Sequence, residues 1–147
     1  MSDFNYAKGR ISESLNFIFK EINEFESDYL GKTWHDYQDD TKLQKLMDRT
    51  IENILTALIE ISGTILTQEG TAVENYCEAL KKCSQNYGFT EEESTNLAKF
   101  ALQRNRLAHR YLDFRWQAIK MFVTQKEAVK KLLTLILKNE SINREKQ

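Results

Sequence analysis

None of the 147 residues of this chain is proline, and only five are glycine. A chain so poor in the residues that break helices and shape β-turns favours long helices joined by short connections. Near the N-terminus, apolar residues recur at the spacing of one helix face. They are Phe4, Ala7, Ile11, Leu15, Ile18, Ile22, Phe25 and Tyr29. This stripe predicts a helix that packs one side against a core or a partner helix.

Capping and turn signals divide the remaining chain into four more helices. In a capping box, a threonine at the helix start and a glutamate three residues later bond each other's backbone N–H groups. Gly31 is predicted to end the first helix, and a polar connection over 32–40 leads to a second helix over 41–66. The third helix is predicted to open at Thr71–Glu74 and close at Gly88. The fourth opens at Thr90–Glu93, and Asp113 caps the fifth. We therefore predict an all-α fold, an up-and-down bundle of about five helices. One domain spans 1–147, with a frayed polar tail at 139–147.

The composition is that of an ordinary globular protein, with 41% apolar and 29% charged residues. The longest apolar runs are too short to cross a bilayer. The first residues also lack the basic and apolar regions of a signal peptide. We therefore expect a cytoplasmic protein with no membrane partner.

The cysteines and the first histidine give little sign of a metal site. Cys77 and Cys83 are six residues apart on the third helix, which is not a zinc spacing, so both are predicted to be buried free thiols. Tyr76 is predicted on the same buried side of that helix. His35 lies among three aspartates, and this fits a solvated turn and helix N-terminus better than a metal site.

The charge of the chain is unevenly distributed, although the formal net charge is only −1. Residues 1–98 contain nine basic and 18 acidic residues, whereas residues 99–126 contain seven basic residues and one acid. A single basic segment in a near-neutral protein predicts a local site for an anionic ligand rather than a surface that coats nucleic acid.

The basic segment includes the run Arg-Asn-Arg-Leu-Ala-His-Arg-Tyr at positions 104–111. In an ideal helix, Arg104 and Tyr111 lie within about 20° of each other, and Asn105 shares a face with His109. Arg104 and His109, however, are separated by about 140°. For both to serve one site, the helix must bend or end between them, or a second chain must complete the site.

These residue types suit a phosphodiester substrate. Arg104 offers planar donors for phosphate oxygens, His109 can move a proton near neutral pH, and Asn105 can orient the ring or the substrate. No carboxylate cluster accompanies the motif, which argues against a two-metal nuclease. In a metal-free route, a base takes the proton of an RNA 2′-hydroxyl, the oxygen attacks the adjacent phosphorus, and the arginine stabilises the developing charge. Such a route usually needs a base and an acid, and two copies of His109 in a homodimer are expected to supply them.

Further cations around the motif are predicted to hold the RNA backbone without taking part in the chemistry. These are Lys99, Arg106, Arg110 and Arg115. The alternative for this group is a solvated basic face with no ligand.

The motif resembles the signature of the HEPN superfamily, in which an arginine is followed after four to six residues by a histidine near the end of a late helix. Arg104 and His109 carry that resemblance, and Asn105 matches the polar residue that commonly follows the arginine. Tyr111, two residues after the histidine, is typical of the HepT-type toxins of the superfamily. The similarity extends over about residues 36–124. It implies a small helical bundle that dimerises through the motif region and cleaves RNA without a metal or cofactor.

The resemblance also implies a partner. The chain is expected to be the toxin of a type II/VII-like HEPN–MNT toxin–antitoxin pair, neutralised by an MNT-type nucleotidyltransferase that attaches AMP to Tyr111. Adenylyl phosphates next to Arg104 would occupy its donors and repel RNA phosphates. Some members of the superfamily are only binding proteins. The alternative is therefore a non-catalytic helical partner that binds nucleotide or presents substrate to a nucleotidyltransferase.

Overall fold

The computed structural model describes the backbone of residues 2–145 and the side chains of residues 10–143. All regular secondary structure in this part of the chain is helical, and the predicted all-α bundle is confirmed. The helices are α1 (Ser2–Asp28), α2 (Trp34–Asp39), α3 (Thr41–Gln68), α4 (Tyr76–Asn86), α5 (Glu91–Ala98), α6 (Phe100–Arg106) and α7 (Leu112–Glu145). Among them, no helix has the length and apolar character needed to span a membrane.

The apolar stripe of α1 packs into the core as predicted. Its six positions with described side chains are all buried: Ile11, Leu15, Ile18, Ile22, Phe25 and Tyr29. The side chains of Phe4 and Ala7 lie outside the described residues. The stripe faces α3 along most of its length, and Phe25 meets Phe122 of α7 edge to face at 5.3 Å between ring centroids.

Helix α3 is the central helix, because it packs against α1, α2, α4, α6 and α7. A helix surrounded in this way must be apolar on most sides. Its buried apolar residues are Met47, Ile51, Ile54, Leu55, Ala57, Leu58, Ile59, Ile61, Ile65 and Leu66. A side of α3 that stays partly open carries Thr56, Glu60 and Gly63, and it forms a wall of the site described below.

An ion cluster joins α1 to α7. Lys126 Nζ lies 2.8 Å from Glu26 Oε2, and Lys130 Nζ lies 3.2 Å from the same oxygen. The hydrogen bond from Lys126 holds the pKa of Glu26 below its ordinary value, although partial burial opposes this shift. Lys126 Nζ also lies 2.9 Å from Glu127 Oε1, so two carboxylates neutralise two of the cations in the C-terminal part of the chain within the fold.

One short helix was missed and one predicted helix start was wrong. The polar connection over 32–40 contains α2, which opens with a capping box between Thr33 and Asp36. The box expected at Thr71 does not form, because the Thr71 N–H bonds Leu66 O and so belongs to the close of α3. Helix α4 is capped instead by Asn75, whose side chain accepts the N–H of Glu78. The box at Thr90 is confirmed by both of its hydrogen bonds.

The later start of α4 also changes which of its residues are buried. Cys83 is buried as expected, and burial raises the pKa of its thiol to about 11. Cys77 is exposed, which contradicts the prediction of two buried thiols. Tyr76, also predicted to be buried, is 57% exposed, because α4 begins at this residue and turns its ring away from the core.

The C-terminal segment is helical rather than frayed. Helix α7 continues to Glu145, Glu140 is buried, and Asn139 Nδ2 donates to the hydroxyl of Tyr87 at 3.3 Å. These contacts with the bundle correct the predicted tail over 139–145. Residues 146–147 lie outside the described part. Asp113, predicted as the cap of this helix, lies in its first turn, because α7 already begins at Leu112.

Candidate active site

The motif segment leaves the helix before it reaches the histidine. Helix α6 ends at Arg106, and the next residues tighten into short turns, with the Ala108 N–H bonding Asn105 O and the His109 N–H bonding Arg106 O. Leu107 is buried and ties these turns to the core. The helix therefore ends between Arg104 and His109, which is one of the conditions under which the sequence allowed both to serve one site. His109 lies in a loop over 107–111.

Arg104 reaches across to the central helix. Its Nε donates to Thr56 Oγ1 at 3.0 Å, and its Cζ lies 5.9 Å from the centroid of the Tyr76 ring. Among the described residues no carboxylate forms an ion pair with Arg104, and no other hydrogen bond of its guanidinium is recorded. The guanidinium is therefore held at one edge by a neutral hydroxyl and keeps its charge and its two terminal nitrogens for a ligand.

A cavity of about 590 Å³ opens beside Arg104. Its wall is mostly apolar and includes Ile59 and Gly63 of α3, Val73, and Tyr76 at the start of α4. A second depression of about 430 Å³ lies on the α1 side of Arg104 and has more polar walls. Arg104 lines both, so its guanidinium stands between two spaces large enough for ligand groups.

His109 is exposed and is held by its own loop. Its Nδ1 accepts the backbone N–H of Tyr111 at 3.3 Å, and its ring packs on Tyr111 and Phe114 at centroid distances of 4.9 and 4.7 Å. A ring that accepts at Nδ1 carries its proton on Nε2 when neutral. The Nε2–H group is then available to a substrate or to another protein group.

Tyr111 and the neighbouring arginines form the outer side of this loop. The Tyr111 side chain is 51% exposed, Arg110 Nη2 lies 3.4 Å from its hydroxyl, and the Arg110 Cζ lies 5.2 Å from its ring centroid. Arg106 Nη1 donates to Gln117 Oε1 at 2.6 Å and lies over the Phe114 ring. None of these groups is paired with a carboxylate in the described part of the chain.

The remaining predicted site residues are not gathered with His109. Asn105 is exposed, and because the helix ends at Arg106 it does not share a continuous face with the histidine. Lys99 bonds Asn96 Oδ1 at 3.3 Å at the junction of α5 and α6 and lines a separate depression. Among the described side chains, no hydrogen bond, ion pair or ring contact joins Arg104 to His109.

Arg115 has a different environment. Its Nη1 lies 2.6 Å from Asp48 Oδ2, and the hydroxyl of Tyr37 donates to Asp48 Oδ1 at 2.6 Å. Burial raises the pKa of the Asp48 carboxyl, and the two hydrogen-bond donors oppose that shift. This geometry favours a structural role for Arg115, and the contact with RNA stays a prediction. The one sequence sign of this pairing was the position of Asp48, directly after Met47 on the buried side of α3, where a carboxylate needs a partner.

His35 pairs with Asp39 one helical turn later, at 3.1 Å, and both side chains are exposed. Within the described residues, no group of three or more histidine, cysteine or acidic side chains has a geometry that could hold a metal ion. The pair of His35 and Asp39 has no contact with the motif loop among the described hydrogen bonds and ion pairs.

Thr56 and Tyr76 are the site residues that the sequence did not reveal. Thr56 lies 48 positions before Arg104, and its part in the site depends on how α3 packs against α6. Tyr76 lies at a helix start that the sequence assigned to the wrong residue. The one sequence signal for Tyr76 was its position directly after Asn75, a residue type that often caps helices. The first residue of a helix need not lie on its buried face.

The helical bundle, the arginine at a cavity and the histidine and tyrosine in the following loop define a HEPN-type protein. A family model described as "Ribonuclease HepT-like" matches residues 18–138. Because that match covers most of the chain and contains the whole motif, the chain belongs to the HepT-like ribonuclease family of the HEPN superfamily. No curated protein is significantly similar to the chain.

Proposed function

We propose that the protein is a metal-independent endoribonuclease in which Arg104 binds the scissile phosphate and His109 moves protons. The observation that carries the proposal is the Nε bond from Arg104 to Thr56, without a carboxylate partner for the guanidinium. An arginine fixed in this way presents a permanent positive charge and a planar pair of donors, which match the oxygens of a phosphodiester. Family membership supports a ribonuclease, and the mechanism is our proposal.

The reaction is written as an intramolecular transfer. A base removes the proton of the ribose 2′-hydroxyl, the 2′-oxygen forms a bond to the adjacent phosphorus, and the bond from phosphorus to the 5′-oxygen breaks. An acid protonates the departing 5′-oxygen, which leaves a 2′,3′-cyclic phosphate and a free 5′-hydroxyl. Arg104 stabilises the charge that develops on the non-bridging oxygens. Asn105 is proposed to orient the substrate from its exposed position at the end of α6.

A homodimer is proposed to complete the site. One chain contributes one motif histidine, and the tautomer favoured by the Tyr111 N–H makes that ring a donor at Nε2. Two copies of His109 supply the base and the acid: one is neutral and takes a proton at Nδ1 once the Tyr111 N–H no longer occupies it, and the other is protonated and donates at Nε2. The exposed positions of His109 and Tyr111 support a cleft that a second copy closes. Light scattering at micromolar concentration should report a dimer, and a monomer would count against the shared cleft.

The cellular role we propose is that of the toxin in a HEPN–MNT toxin–antitoxin pair. An MNT-type nucleotidyltransferase would transfer AMP from ATP to the Tyr111 hydroxyl, forming a phosphodiester to the phenolic oxygen and releasing pyrophosphate. The exposure of Tyr111 and the neighbouring Arg110 support this acceptor, because the phenol is accessible and a cation can bind the incoming phosphate. Mixing with the partner and ATP should add the mass of one or more AMP groups, and Tyr111→Phe should remove that addition while leaving the fold intact.

The experiment that tests the catalytic proposal is incubation of RNA with the purified protein in EDTA. The intact chain should produce fragments with cyclic phosphate ends, and His109→Ala should produce none. His35→Ala is the matched control, since it removes the other histidine of the chain and should cleave normally. Cleavage that strictly requires added Mg²⁺ would sink the mechanism.

The alternative function is a non-catalytic partner that binds nucleotide or presents substrate to a nucleotidyltransferase. The observation in its favour is that no direct contact joins Arg104 to His109 within one chain, as far as the described side chains extend. The same EDTA experiment separates the two functions. A folded dimer that accepts AMP on Tyr111 but leaves RNA intact would favour the alternative.

A further inference from the structure

The ribonuclease chemistry alone does not account for the cavity beside Arg104. An arginine can bind a phosphate at an open surface, but the Arg104 guanidinium lies at the rim of a space of about 590 Å³ with mostly apolar walls. That volume falls in the range of sites for small organic ligands. An apolar space next to a cation suits a ligand with a flat apolar part and an anionic part.

Tyr76 supplies an aromatic face at the rim of this cavity. The ring is 57% exposed, and Arg104 Cζ lies 5.9 Å from its centroid. Exposed aromatic rings near a cation are the usual platforms on which nucleic-acid bases stack. Because α4 begins at Tyr76 directly after the Asn75 cap, the backbone that carries the ring belongs to a helix rather than to a loop.

Gly63 supplies an independent observation. It lies within α3, where glycine is the poorest helix former after proline. A Cβ added at Gly63 would meet nothing within 4 Å, so no close neighbour in the fold requires glycine there. Gly63 lines the cavity, and the space that the missing side chain leaves is part of it. Glycine at this position therefore lowers helix stability and leaves open a space that a larger side chain would fill.

The polar groups on the cavity wall fit a base rather than a second phosphate. Glu60 lines the cavity next to Arg104, and its carboxylate repels phosphate but can accept the N–H groups of a base edge. Gln68 also lines the cavity, and its side-chain amide nitrogen is buried with no hydrogen-bond partner among the described residues. That nitrogen is shielded from the cavity, so the preference for a base rests on Glu60.

We infer that this cavity is a nucleobase-binding subsite: one RNA base stacks on Tyr76 in the space left by Gly63 while its phosphate is bound by Arg104. The subsite rests on the proposed ribonuclease function and adds to it the place where a base next to the scissile phosphate is recognised. Thr56 is the positioning residue, since its Oγ1 accepts the Nε–H of Arg104 and leaves the terminal nitrogens of the guanidinium for the phosphate.

Binding of small probes tests the subsite without any cleavage. The full-length protein is titrated with adenosine 5′-monophosphate, uridine 5′-monophosphate and ribose 5-phosphate, which lacks a base, and dissociation constants are measured by calorimetry. Both nucleotides should bind about tenfold more tightly than ribose 5-phosphate, a preference in the range of base stacking on an aromatic ring. Equal affinities for the nucleotides and ribose 5-phosphate would overturn the subsite.

Two variants locate the binding. Tyr76→Ala removes the platform and Gly63→Leu fills the space, and each should erase the tenfold preference for nucleotides while leaving the affinity for ribose 5-phosphate unchanged. Leu137→Ala and Thr134→Leu are the matched controls, because both positions are exposed on α7 away from the cavity and should keep the preference. Gly63→Leu should not lower the melting temperature, since leucine is a good helix former. Tyr76 is exposed, so its variant tests the idea even if Gly63→Leu folds poorly.

Cleavage assays separate failure of the subsite from failure of the nuclease. If RNA is cleaved and both variants keep the KM and kcat of the intact chain, the subsite is wrong and the nuclease stands. If no RNA is cleaved but nucleotides bind in a manner that depends on Tyr76 and Gly63, the nuclease is wrong and the subsite stands. Variants with a raised KM for RNA and a lost preference for nucleotides support both.

Discussion

Arg104 and Arg115 lie on the two sides of the loop over 107–111, and the fold treats their charges in opposite ways. Arg115 Nη1 lies 2.6 Å from Asp48 Oδ2, and both side chains are largely shielded from solvent, at 19% and 13% exposure. Arg104 donates its Nε to the hydroxyl of Thr56 at 3.0 Å and has no recorded carboxylate partner among the described residues. One positive charge is neutralised within the chain, and the other is held in place and left unneutralised.

The difference separates structural arginines from ligand-binding ones. A buried ion pair is costly to break from one side, because the remaining charge is left without compensation in a poorly solvated place. An arginine fixed by a neutral acceptor has no such partner, so its electrostatic interaction becomes available only when an anion arrives. The sequence assigned both residues to RNA, since it shows that an arginine is present but not which group faces it.

In the comparison of the two arginines, loss of the Arg104 side chain should have the larger effect on RNA cleavage. Arg104→Ala should lower kcat/KM by about 1,000-fold, because a donor aimed at the developing charge is lost. The melting temperature should stay close to that of the intact chain, since the variant breaks one hydrogen bond to a half-buried hydroxyl. Cleavage of a labelled RNA in EDTA and a thermal melt on the same sample measure both quantities.

Arg104→Lys sharpens this prediction. Lysine keeps the charge but has neither the Nε bond to Thr56 nor the planar pair of donors. Its activity should fall nearly as far as that of the alanine variant. Full activity with lysine would mean that charge alone matters and that the fixed geometry has no role.

The next largest effect should be on stability and should come from Arg115. Arg115→Ala should lower the free energy of unfolding by about 2 kcal/mol, because Asp48 would remain largely buried and lose its cation. Cleavage per folded molecule should be retained. Urea unfolding measures the loss, with Arg110→Ala as the control, since Arg110 is exposed and should change stability by less than about 0.5 kcal/mol. A stable Arg115→Ala protein with weak RNA binding would restore the role expected from the sequence.

Smaller effects should come from the exposed cations near the loop. Arg106→Gln and Arg110→Gln should each weaken RNA binding by up to about tenfold at low salt, because each removes a charge near the backbone of the bound strand. The loss should shrink at high salt, where phosphate contacts are already screened. Anisotropy with a non-cleavable RNA measures it, and Lys138→Gln near the far end of α7 is the charge-matched control. Binding that does not depend on salt would favour a solvated basic face.

Local patterns predicted what depends on neighbouring residues. The Thr90 capping box and the α1 stripe each involve residues within one or two helical turns, and both formed as expected. Gly88 has a φ of +89°, the left-handed conformation that glycine adopts at helix ends. The Thr71 box failed because a competing contact with Leu66 closed the preceding helix first. Of the two capping signals at Thr71 and Asn75, the backbone bond that closes α3 removed the first, and the second opens α4.

The environment of each motif residue was beyond the reach of the sequence. Arg104 meets Thr56 across 48 positions, and Arg115 meets Asp48 across 67. Contacts at such separations depend on how α3 packs against α6 and α7, and no spacing along the chain records them. The motif itself was evident, because its residue types and order are local. Which arginine serves the site required the three-dimensional contacts.

The smallest predicted effect applies the same distinction, between a cation paired within the fold and one left for a ligand, to a lysine. Lys126 belongs to the basic segment, but it pairs with Glu26 and Glu127, and Lys130 also pairs with Glu26. The rule that an arginine or lysine paired with a carboxylate serves stability therefore assigns Lys126 to the fold and not to RNA. Glu26→Gln should lower the free energy of unfolding at pH 7 by about 0.5–1 kcal/mol, the range for partly exposed ion pairs. RNA binding should not weaken, because the variant releases the two lysines instead of removing them.

The contribution of Glu26 to the free energy of unfolding should depend on pH in a direction that its pKa fixes. The hydrogen bond from Lys126 lowers the pKa of Glu26 in the folded chain below its ordinary value of 4.5. The unfolded chain therefore binds the proton more readily, and the contribution of Glu26 is present above pH 4.5 and lost as the pH falls through the folded pKa. The stability difference between the intact chain and Glu26→Gln should close as the pH is lowered from 7 to below the folded pKa of Glu26, measured by urea unfolding. A difference that persists at acid pH would show that Glu26 acts through packing, and the charge rule would then not extend to this lysine pair.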